Sequence, residues 1–295
     1  MLTHRLVWTV LLAAALLLAG CDDGDDPGAS VSPQPTATAT ASPEDTASEA
    51  SPTEETPTGD AADDASAETV SYVALGDSLA TGAGATTSYV AEYAAELEAQ
   101  TGADLEITNL AVNGWTSTDL LTALDEDEAM RTAVAGADLL TVDIGANDLL
   151  HAIPLYASDN CGGDDNLQCL RDATALLDEQ WAAILDEIIA LRDGDATGIA
   201  AIDLYQPFVA NPRVADDLEV LRPVMDDLNA ALTDVAQERG IPVATVHEAF
   251  HGPHGTGDPN ETFLISVDGL HPSNAGHELI AQQLLALDVD WADAG

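Results

Sequence analysis

The chain has 295 residues, of which 53 are acidic and only seven basic, and its formal net charge at pH 7 is −46. A charge this negative argues against binding of nucleic acid and against docking on anionic lipid headgroups. All seven basic residues are arginines, and 46% of the chain is hydrophobic, which is enough to form a folded core. We interpret the acidity as a solubility or high-salt trait that says little about the reaction.

The N-terminus has the pattern of an export signal. His4 and Arg5 precede an apolar run, Leu6–Ala19, which is shorter than the roughly 20 residues that a membrane-spanning helix needs. The run ends in the letters LAGC, which resemble the lipobox of bacterial lipoproteins, where the cysteine is lipidated and becomes the mature N-terminus. We therefore expect a lipoprotein signal peptide over residues 1–20, lipidation at Cys21, and an exported protein anchored on the extracytoplasmic face of the cell membrane. The alternative is an ordinary secretory signal with a chance cysteine.

The next segment, residues 21–68, is dominated by acidic residues, Ser, Thr, Pro, Ala and Gly, with a single valine and no basic residue. Such a composition cannot bury enough apolar surface to offset the entropy lost on ordering, so we expect a disordered linker. A flexible chain of this length reaches roughly 40 Å, enough to hold a globular domain off a membrane. The acidic cluster Asp22–Asp26 is interpreted as a solvated charge run, with a cation site as the alternative.

Residues 69–295 form one predicted domain, in which short β-type runs alternate with longer helix-type stretches. The predicted strands are Tyr72–Leu75, Leu105–Leu110, Leu139–Ile144, Gly198–Leu204 and Pro242–Val246. The predicted helices are Tyr89–Thr101, Ser117–Ala135, Cys169–Arg192, Ala215–Arg239 and Asn274–Leu287. This alternation predicts βαβ units and an α/β fold: a three-layer α/β/α sandwich around a mainly parallel five-stranded sheet.

Two cysteines remain after Cys21, at Cys161 and Cys169, with seven residues between them. In an oxidising compartment a local disulfide is the expected outcome for such a pair. A catalytic thiol is the alternative, and it is disfavoured because the neighbouring cysteine would oxidise it.

Polar residues follow three of the predicted strands, and a fourth polar segment lies near the C-terminus. Gly76, Asp77 and Ser78 come directly after the first strand, and an Asn-Gly-Trp and a Gly-Ala-Asn-Asp segment follow the second and third. Because parallel strands end at one edge of a sheet, where open α/β sheets bind ligands, we expect these segments to converge. Taken singly each signal is weak, since Gly-Asp-Ser is ordinary turn chemistry and the asparagine could be a helix cap.

In type and order these segments resemble the motifs of the SGNH (GDSL-type) hydrolases. The matching segments are GDS at Gly76–Ser78, Gly114, GAND at Gly145–Asp148 and DGLH at Asp268–His271. The resemblance covers most of the domain and implies a flavodoxin-like SGNH hydrolase fold. It also implies roles: Ser78 as nucleophile, His271 as base and Asp268 as the carboxylate that orients it. The N–H groups of Ser78 and Gly114 and the Asn147 amide would be the oxyanion donors.

Elementary chemistry supports these roles. A serine hydroxyl is a poor nucleophile unless a base takes its proton, and a carboxylate on the far side of an imidazole fixes its tautomer. Neutral N–H donors suit a developing oxyanion. Chemistry of this kind needs no cofactor and no metal. His251 and His254 lack a recognisable third metal ligand, so we interpret their loop as lining the cleft.

We therefore predict a cell-envelope serine esterase that hydrolyses small-molecule, lipid or acylated-carbohydrate esters through an acyl-serine intermediate. An O-acyltransferase, in which a sugar or alcohol takes the place of water, is an alternative on the same fold. A catalytically inactive binding lipoprotein is the alternative from another class, although such a protein has no need of a matched nucleophile and base.

Overall fold

The structure, a computed structural model, describes residues 69–206, 214 and 217–291. The signal peptide, the Cys21 lipidation site and the acidic linker therefore lie outside the described residues. The strands are β1 (Thr69–Leu75), β2 (Asp104–Asn109), β3 (Leu139–Val142), β4 (Ile199–Ile202) and β5 (Val243–Ala244). The helices are α1 (Ser78–Thr81), α2 (Tyr89–Thr101), α3 (Ser117–Glu126), α4 (Glu128–Ala135), α5 (Ala146–Ala157), α6 (Gln168–Leu191), α7 (Leu218–Glu238), α8 (Val246–His251) and α9 (Asn274–Leu285).

The five strands form one sheet in the order β2-β1-β3-β4-β5, and every neighbouring pair is parallel. The chain first moves outward from β1 to β2 and then returns past β1 to β3. The strand order therefore reverses at β1, and in open α/β sheets ligands bind outside the carboxyl ends of the strands at such a reversal. The predicted parallel five-stranded α/β fold is confirmed.

The core lies on both faces of the sheet, because successive side chains of a strand point to opposite sides. Val73 and Leu75 of β1 face a cluster that includes α3, α5, α6 and α7. Tyr72 and Ala74 of the same strand face the opposite cluster with α2, α8 and α9. This gives the three layers, with the sheet buried between two layers of helices.

Helix α6 shows how sequence periodicity sets the packing. Trp181, Ile184, Leu185 and Ile188 recur at helical spacing and are all at most 1% exposed. The indole N–H of Trp181 donates to the carbonyl of Leu232 in α7 at 3.0 Å, so its one polar group is satisfied. Each of these large apolar side chains contributes roughly 1.5–3 kcal/mol by its burial.

Two helical predictions were wrong in detail. The single helix expected over Ser117–Ala135 is broken at Asp127, whose side chain accepts the N–H groups of Ala129 and Met130 at 2.8 and 3.1 Å and so starts α4. Helix α5 was not predicted, because its sequence opens with the Gly-Ala-Asn-Asp turn signal and contains Pro154. Strand β1 begins three residues earlier than expected, whereas β3, β4 and β5 are shorter than expected, and β5 has only two residues.

The predicted disulfide between Cys161 and Cys169 is confirmed. It closes the loop between α5 and α6, and the Cys169 N–H also donates to the Cys161 carbonyl at 2.9 Å. In the chain-entropy account, a closed loop this short stabilises the fold by on the order of 2–3 kcal/mol. None of the helices in the described part of the chain has the length and apolar character that crossing a membrane requires.

Candidate active site

Ser78 is the first residue of α1, directly after the turn that ends β1. The turn requires glycine at position 76, because its φ is +149° and a Cβ there would lie 2.5 Å from the carbonyl oxygen of Asp143. Asp77 then caps the helix, its carboxylate accepting the N–H of Leu79 at 3.0 Å. Since Ser78 opens the helix, its own N–H has no intrahelical acceptor.

Asp268 and His271 are joined directly. The Asp268 Oδ2 atom lies 2.7 Å from Nδ1 of His271, while Oδ1 accepts the N–H groups of Leu270 and His271 and the hydroxyl of Ser266 at 2.8–3.0 Å. Partial burial acts to raise the pKa of Asp268, but these hydrogen bonds outweigh it and hold the pKa below its ordinary value. Because the carboxylate is ionised, Nδ1 must donate to it, which leaves Nε2 as the basic nitrogen.

The loop that carries His271 packs against the segment after α1. A Cβ on Gly84, whose φ is +89°, would lie 2.7 Å from the His271 Cβ, so only glycine permits this close approach. The Tyr205 hydroxyl donates to the Leu270 carbonyl at 2.7 Å and holds the loop from the other side. The position of His271 therefore depends on contacts from two distant parts of the chain.

Ser78 and His271 line the same cavity, of about 20 Å³, although 192 residues lie between them in sequence. The other lining residues are Asp77, Leu79, Ala146, Leu150, Leu204, Tyr205 and Leu270. No hydrogen bond joins Ser78 to His271 within the described part of the chain. In substrate-free enzymes such bonds are often long and tighten only when the substrate binds.

Gly114 lies on the loop after β2, beside the turn Gly76–Ser78. The pairing of β1 with β2 continues beyond both strands, with the Val112 N–H donating to the Gly76 carbonyl at 3.1 Å. The side chains of Thr81 in α1 and Asn113 are also hydrogen-bonded. Gly114 is exposed, has a φ of +83° and meets no neighbour at its Cβ position. The structure thus brings this loop to the predicted nucleophile.

Asn147, the second residue of α5, is held by two acceptors. Its amide nitrogen donates to the Asp77 carboxylate at 2.9 Å and to the Trp115 carbonyl at 2.8 Å. The side chain therefore links the turn Gly76–Ser78 to the loop that carries Gly114, and both amide hydrogens are engaged. For Asn147 to bind an oxyanion, one N–H must leave its present acceptor. Sequence reasoning did not anticipate this arrangement.

Asp148, the last residue of the same motif, joins helices instead of facing the cavity. Its two oxygens accept the hydroxyl of Ser117 at 2.6 Å and the N–H of Ser117 at 3.0 Å, which links α5 to the start of α3. Burial raises the pKa of Asp148, although the hydrogen bonds from Ser117 oppose the shift. Asp148 thus braces the site without touching Ser78.

Asp143, at the end of β3, was missed by the sequence analysis. It is 1% exposed and accepts the Tyr89 hydroxyl at 2.6 Å and the Asp77 N–H at 3.4 Å. The signal was present in the sequence, because Asp143 is the only charged residue in the apolar run Leu139–Ile144. A lone acid at the end of a buried strand points towards a site.

The segment that carries His251 and His254 does not line the cavity beside Ser78, contrary to the prediction from the sequence. His251 is buried, with Nε2 accepting the Gln206 N–H at 2.8 Å and Nδ1 lying 2.9 Å from the Gly257 carbonyl oxygen. Both ring nitrogens are thus used within the protein, and His254 is exposed. Within the ranges described, no group of three or more His, Cys, Asp or Glu residues could hold a metal ion.

Comparison with known proteins places the chain in a family. Residues 74–279, which include every site residue discussed above, match the GDSL-like Lipase/Acylhydrolase family. The chain belongs to this family. As a GDSL-like protein it is a hydrolase that acts on carboxylic ester bonds. The spore germination lipase LipC of Bacillus licheniformis is 25% identical over 223 residues, which are 74% of this chain and 96% of LipC.

Solved structures show that this GDSL-like hydrolase has the SGNH fold. The lipase Lip_vut3 from a goat rumen metagenome superposes with a TM-score of 0.63 at 22% identity, over 77% of this chain and all of that one. The acetylxylan esterase Axe2 of Geobacillus stearothermophilus has a TM-score of 0.54 at 20% identity, over 76% of this chain and 97% of Axe2. The predicted fold is confirmed by these likenesses.

Proposed function

We propose that this GDSL-like hydrolase cleaves carboxylic esters through an acyl-serine intermediate, with Ser78 as nucleophile and His271 as general base. The observation that carries the proposal is the 2.7 Å bond between Asp268 and Nδ1 of His271. An ionised carboxylate there fixes the tautomer that leaves Nε2 free, and it stabilises the imidazolium that forms during the reaction. The cavity shared by Ser78 and His271 supports the pairing.

The proposed reaction has two halves. The Ser78 oxygen attacks the ester carbonyl carbon while His271 Nε2 takes the hydroxyl proton, and the carbonyl oxygen becomes an oxyanion. The imidazolium then gives that proton to the leaving alcohol oxygen, which yields the acyl-serine. In the second half His271 deprotonates a water molecule that attacks the acyl carbon. The proton then returns to the Ser78 oxygen and the carboxylic acid departs.

For the oxyanion we propose the N–H groups of Ser78 and Gly114 and the amide of Asn147. Ser78 opens a helix and Gly114 sits on an exposed loop, so each can offer an N–H to a ligand. Asn147 would keep its bond to Asp77 and turn its other N–H from the Trp115 carbonyl to the oxyanion. Neutral donors of this kind stabilise an oxyanion more strongly in a partly water-excluded site than in water.

The cavity beside Ser78 favours a short acyl group. Its volume of about 20 Å³ is little more than a single water needs, and Leu79, Leu150 and Leu204 make it apolar. An acetyl ester of a carbohydrate, a small alcohol or a lipid is the substrate class we propose. An acetylxylan esterase is among the structural neighbours. Transfer of the acyl group to a sugar or alcohol, in place of water, is the second candidate activity.

We also propose that the enzyme works in the cell envelope, anchored by lipid at Cys21. The LAGC sequence at the end of the apolar N-terminal run supports the anchor. The Cys161–Cys169 disulfide supports export, since such bonds persist in oxidising compartments.

Two variants test the proposed chemistry on 4-nitrophenyl acetate and on a fluorophosphonate probe. Ser78→Ala should abolish labelling and nearly all turnover, because no other group can form the acyl-enzyme. Asn147→Ala should still be labelled at Ser78, but more slowly, with kcat lower by roughly 10²–10³, the usual effect of losing one oxyanion donor. Circular dichroism establishes that both are folded. Wild-type kcat/KM in folded Ser78→Ala would place the nucleophile elsewhere.

A further inference from the structure

A pair of buried carboxyl groups lies directly beneath the nucleophile. Asp77 and Asp143 are 3% and 1% exposed, and the Asp77 N–H donates to Oδ1 of Asp143 at 3.4 Å, which places the two carboxyl groups side by side. Two carboxylates are both acceptors, so a hydrogen bond between them requires a proton on one. Gly76 permits the close approach of Asp143, since a Cβ on it would lie 2.5 Å from the Asp143 carbonyl oxygen and 2.6 Å from its Cγ.

Within the described residues, no arginine side chain is paired with Asp77 or Asp143. Each arginine that the structure describes has its partners elsewhere, and the chain contains no lysine. The titratable groups that face the pair are Tyr72 from β1, Tyr89 from α2, Asp148 from α5, Tyr205 from the segment after β4 and His271 from its loop. Two adjacent buried anions without a counter-charge are strongly unfavourable, so one of the two acids retains its proton.

The hydrogen-bond partners indicate which acid is protonated. Asp77 accepts two well-formed N–H bonds, from Leu79 at 3.0 Å and from the Asn147 amide at 2.9 Å, and both favour its charged form. Asp143 receives the Tyr89 hydroxyl and a long bond from the Asp77 N–H. Burial, reinforced by the charge of Asp77, raises the pKa of Asp143 well above its ordinary value.

We propose that Asp143 is a positioning residue, which as a neutral acid donates a hydrogen bond to Asp77 and thereby fixes the turn of Ser78 and the amide of Asn147. This inference rests on the proposed function, in which both groups act on the ester. The Tyr89 hydroxyl holds Asp143 in place, and Tyr89 is itself held because its N–H donates to Nδ1 of the buried His277 at 3.1 Å.

The proposal predicts a loss of activity at alkaline pH. When Asp143 gives up its proton, two carboxylates face each other at one buried site and repel. The repulsion is relieved only if the Asp77 side chain moves, and Asn147 and the Ser78 turn move with it. Activity should therefore fall as pH rises through the pKa of the pair, before the fold is lost.

Asp143→Asn and Asp143→Leu distinguish two properties of Asp143: its ability to donate a hydrogen bond to Asp77 and its ability to lose a proton. The asparagine offers an amide N–H to Asp77 and an oxygen to Tyr89 but carries no titratable proton, whereas leucine offers neither. We expect Asp143→Leu to lower kcat/KM about tenfold or more through lost positioning, and Asp143→Asn to restore most of that loss while abolishing the alkaline decline. Asp203→Asn, at a buried acid outside the pair, is the matched control and should keep the wild-type alkaline decline.

Difference infrared spectroscopy gives a readout that does not depend on catalysis. The wild-type spectrum minus that of Asp143→Asn should contain the C=O stretch of a protonated carboxylic acid at neutral pH. The band should disappear over the pH range in which activity is lost. An absent band, or an unchanged alkaline decline in Asp143→Asn, overturns the proposal even if Asp143→Leu does not fold. An active Ser78→Ala variant with the band present would instead refute the proposed nucleophile.

Discussion

At the scale of single residues, the two carboxylate oxygens of Asp268 bind different groups. Its Oδ1 atom closes its own loop by accepting the N–H groups of Leu270 and His271. Its Oδ2 atom is left to hold the imidazole ring. Because the side chain that closes the loop also holds the imidazole, the orientation of the ring within its own loop is set by four residues. An Asp three residues before a His is therefore an informative sequence pattern, because this short segment alone can pair the carboxylate with the imidazole.

In the proposed mechanism, Asp268→Asn should lower kcat by roughly 10³–10⁴, the order expected when the orienting acid of a Ser-His-Asp triad is amidated. The amide would present an N–H to Nδ1, which favours the tautomer whose Nε2 carries the proton, and the charge that stabilises the imidazolium is lost. Steady-state kinetics on 4-nitrophenyl acetate measure the effect. Ser266→Ala is the matched control, since it removes one donor to Asp268 but leaves the bond to His271. A comparable loss in both variants would mean that loop structure, not the base, is affected.

At the scale of elements, three strands of the sheet end in a buried acid. Asp77 follows β1, Asp143 follows β3 and Asp203 follows β4. Two of them accept an N–H group from the first turn of a helix: Asp77 from Leu79 in α1, and Asp203 from His247 in α8 at 2.8 Å. Carboxylates are stabilised at helix N-termini, where unpaired N–H groups point outward. Asp143 differs, because it faces another acid.

Because of Asp203, the free energy of unfolding should decrease as the pH rises from about 4 to about 6. Burial raises the pKa of Asp203 to about 6, although the N–H groups of His247 and Val246 oppose the shift. The unfolded chain loses the Asp203 proton near pH 3.9, whereas the folded protein keeps it until about pH 6. The stabilising contribution of Asp203 to the free energy of unfolding is therefore complete below pH 4 and is lost by about pH 6. The loss in unfolding free energy is on the order of 2–3 kcal/mol.

Urea denaturation between pH 4 and pH 7 tests this prediction with Asp203→Asn. The amide oxygen can still accept the His247 N–H, so the variant should lack this part of the pH dependence and be at least as stable as the wild type at pH 7. Asp104→Asn, at the exposed start of β2, controls for the change in net charge. Parallel stability profiles for the wild type and Asp203→Asn would contradict the prediction.

At the scale of the whole molecule, the net charge is strongly negative, but this charge does not determine the reaction. Four of the five described arginines form ion pairs, for example Arg239 with Asp186 at 2.6 Å and Arg171 with Asp165 at 2.9 Å. Exposed pairs of this kind contribute about 0–1 kcal/mol each. The remaining charge keeps the molecule soluble by mutual repulsion, which salt screens. The proposed attachment to a membrane therefore depends on lipid and not on charge.

Cys21→Ser tests that attachment on the full-length protein. We expect the variant to appear in the soluble fraction while its esterase activity is unchanged, because Cys21 lies far in sequence from every residue of the site. Fractionation of membranes after a high-salt wash, followed by an activity assay on both fractions, measures the distribution. The wild type should remain with the membranes. A variant that stays membrane-bound after the wash would refute the lipid anchor.

The sequence by itself determined the features that depend on local or periodic patterns. Alternating strand and helix patterns indicated the parallel sheet, and the short interval between Cys161 and Cys169 indicated their disulfide. The spacing of Asp268 and His271 indicated their pairing, since three residues is within reach of one side chain. The motifs at the strand ends indicated Ser78, because a parallel sheet gathers those ends at one edge.

The tertiary structure alone decided which partners the buried polar groups take. Asn147 lies 70 residues from Asp77, and Asp143 lies 66 residues from it, so neither contact has a local pattern. Whether a carboxyl group keeps its proton depends on burial and on the charges around it, which are set only when distant segments pack together. The acid pair beneath Ser78 and the double engagement of Asn147 therefore appear only in the folded molecule.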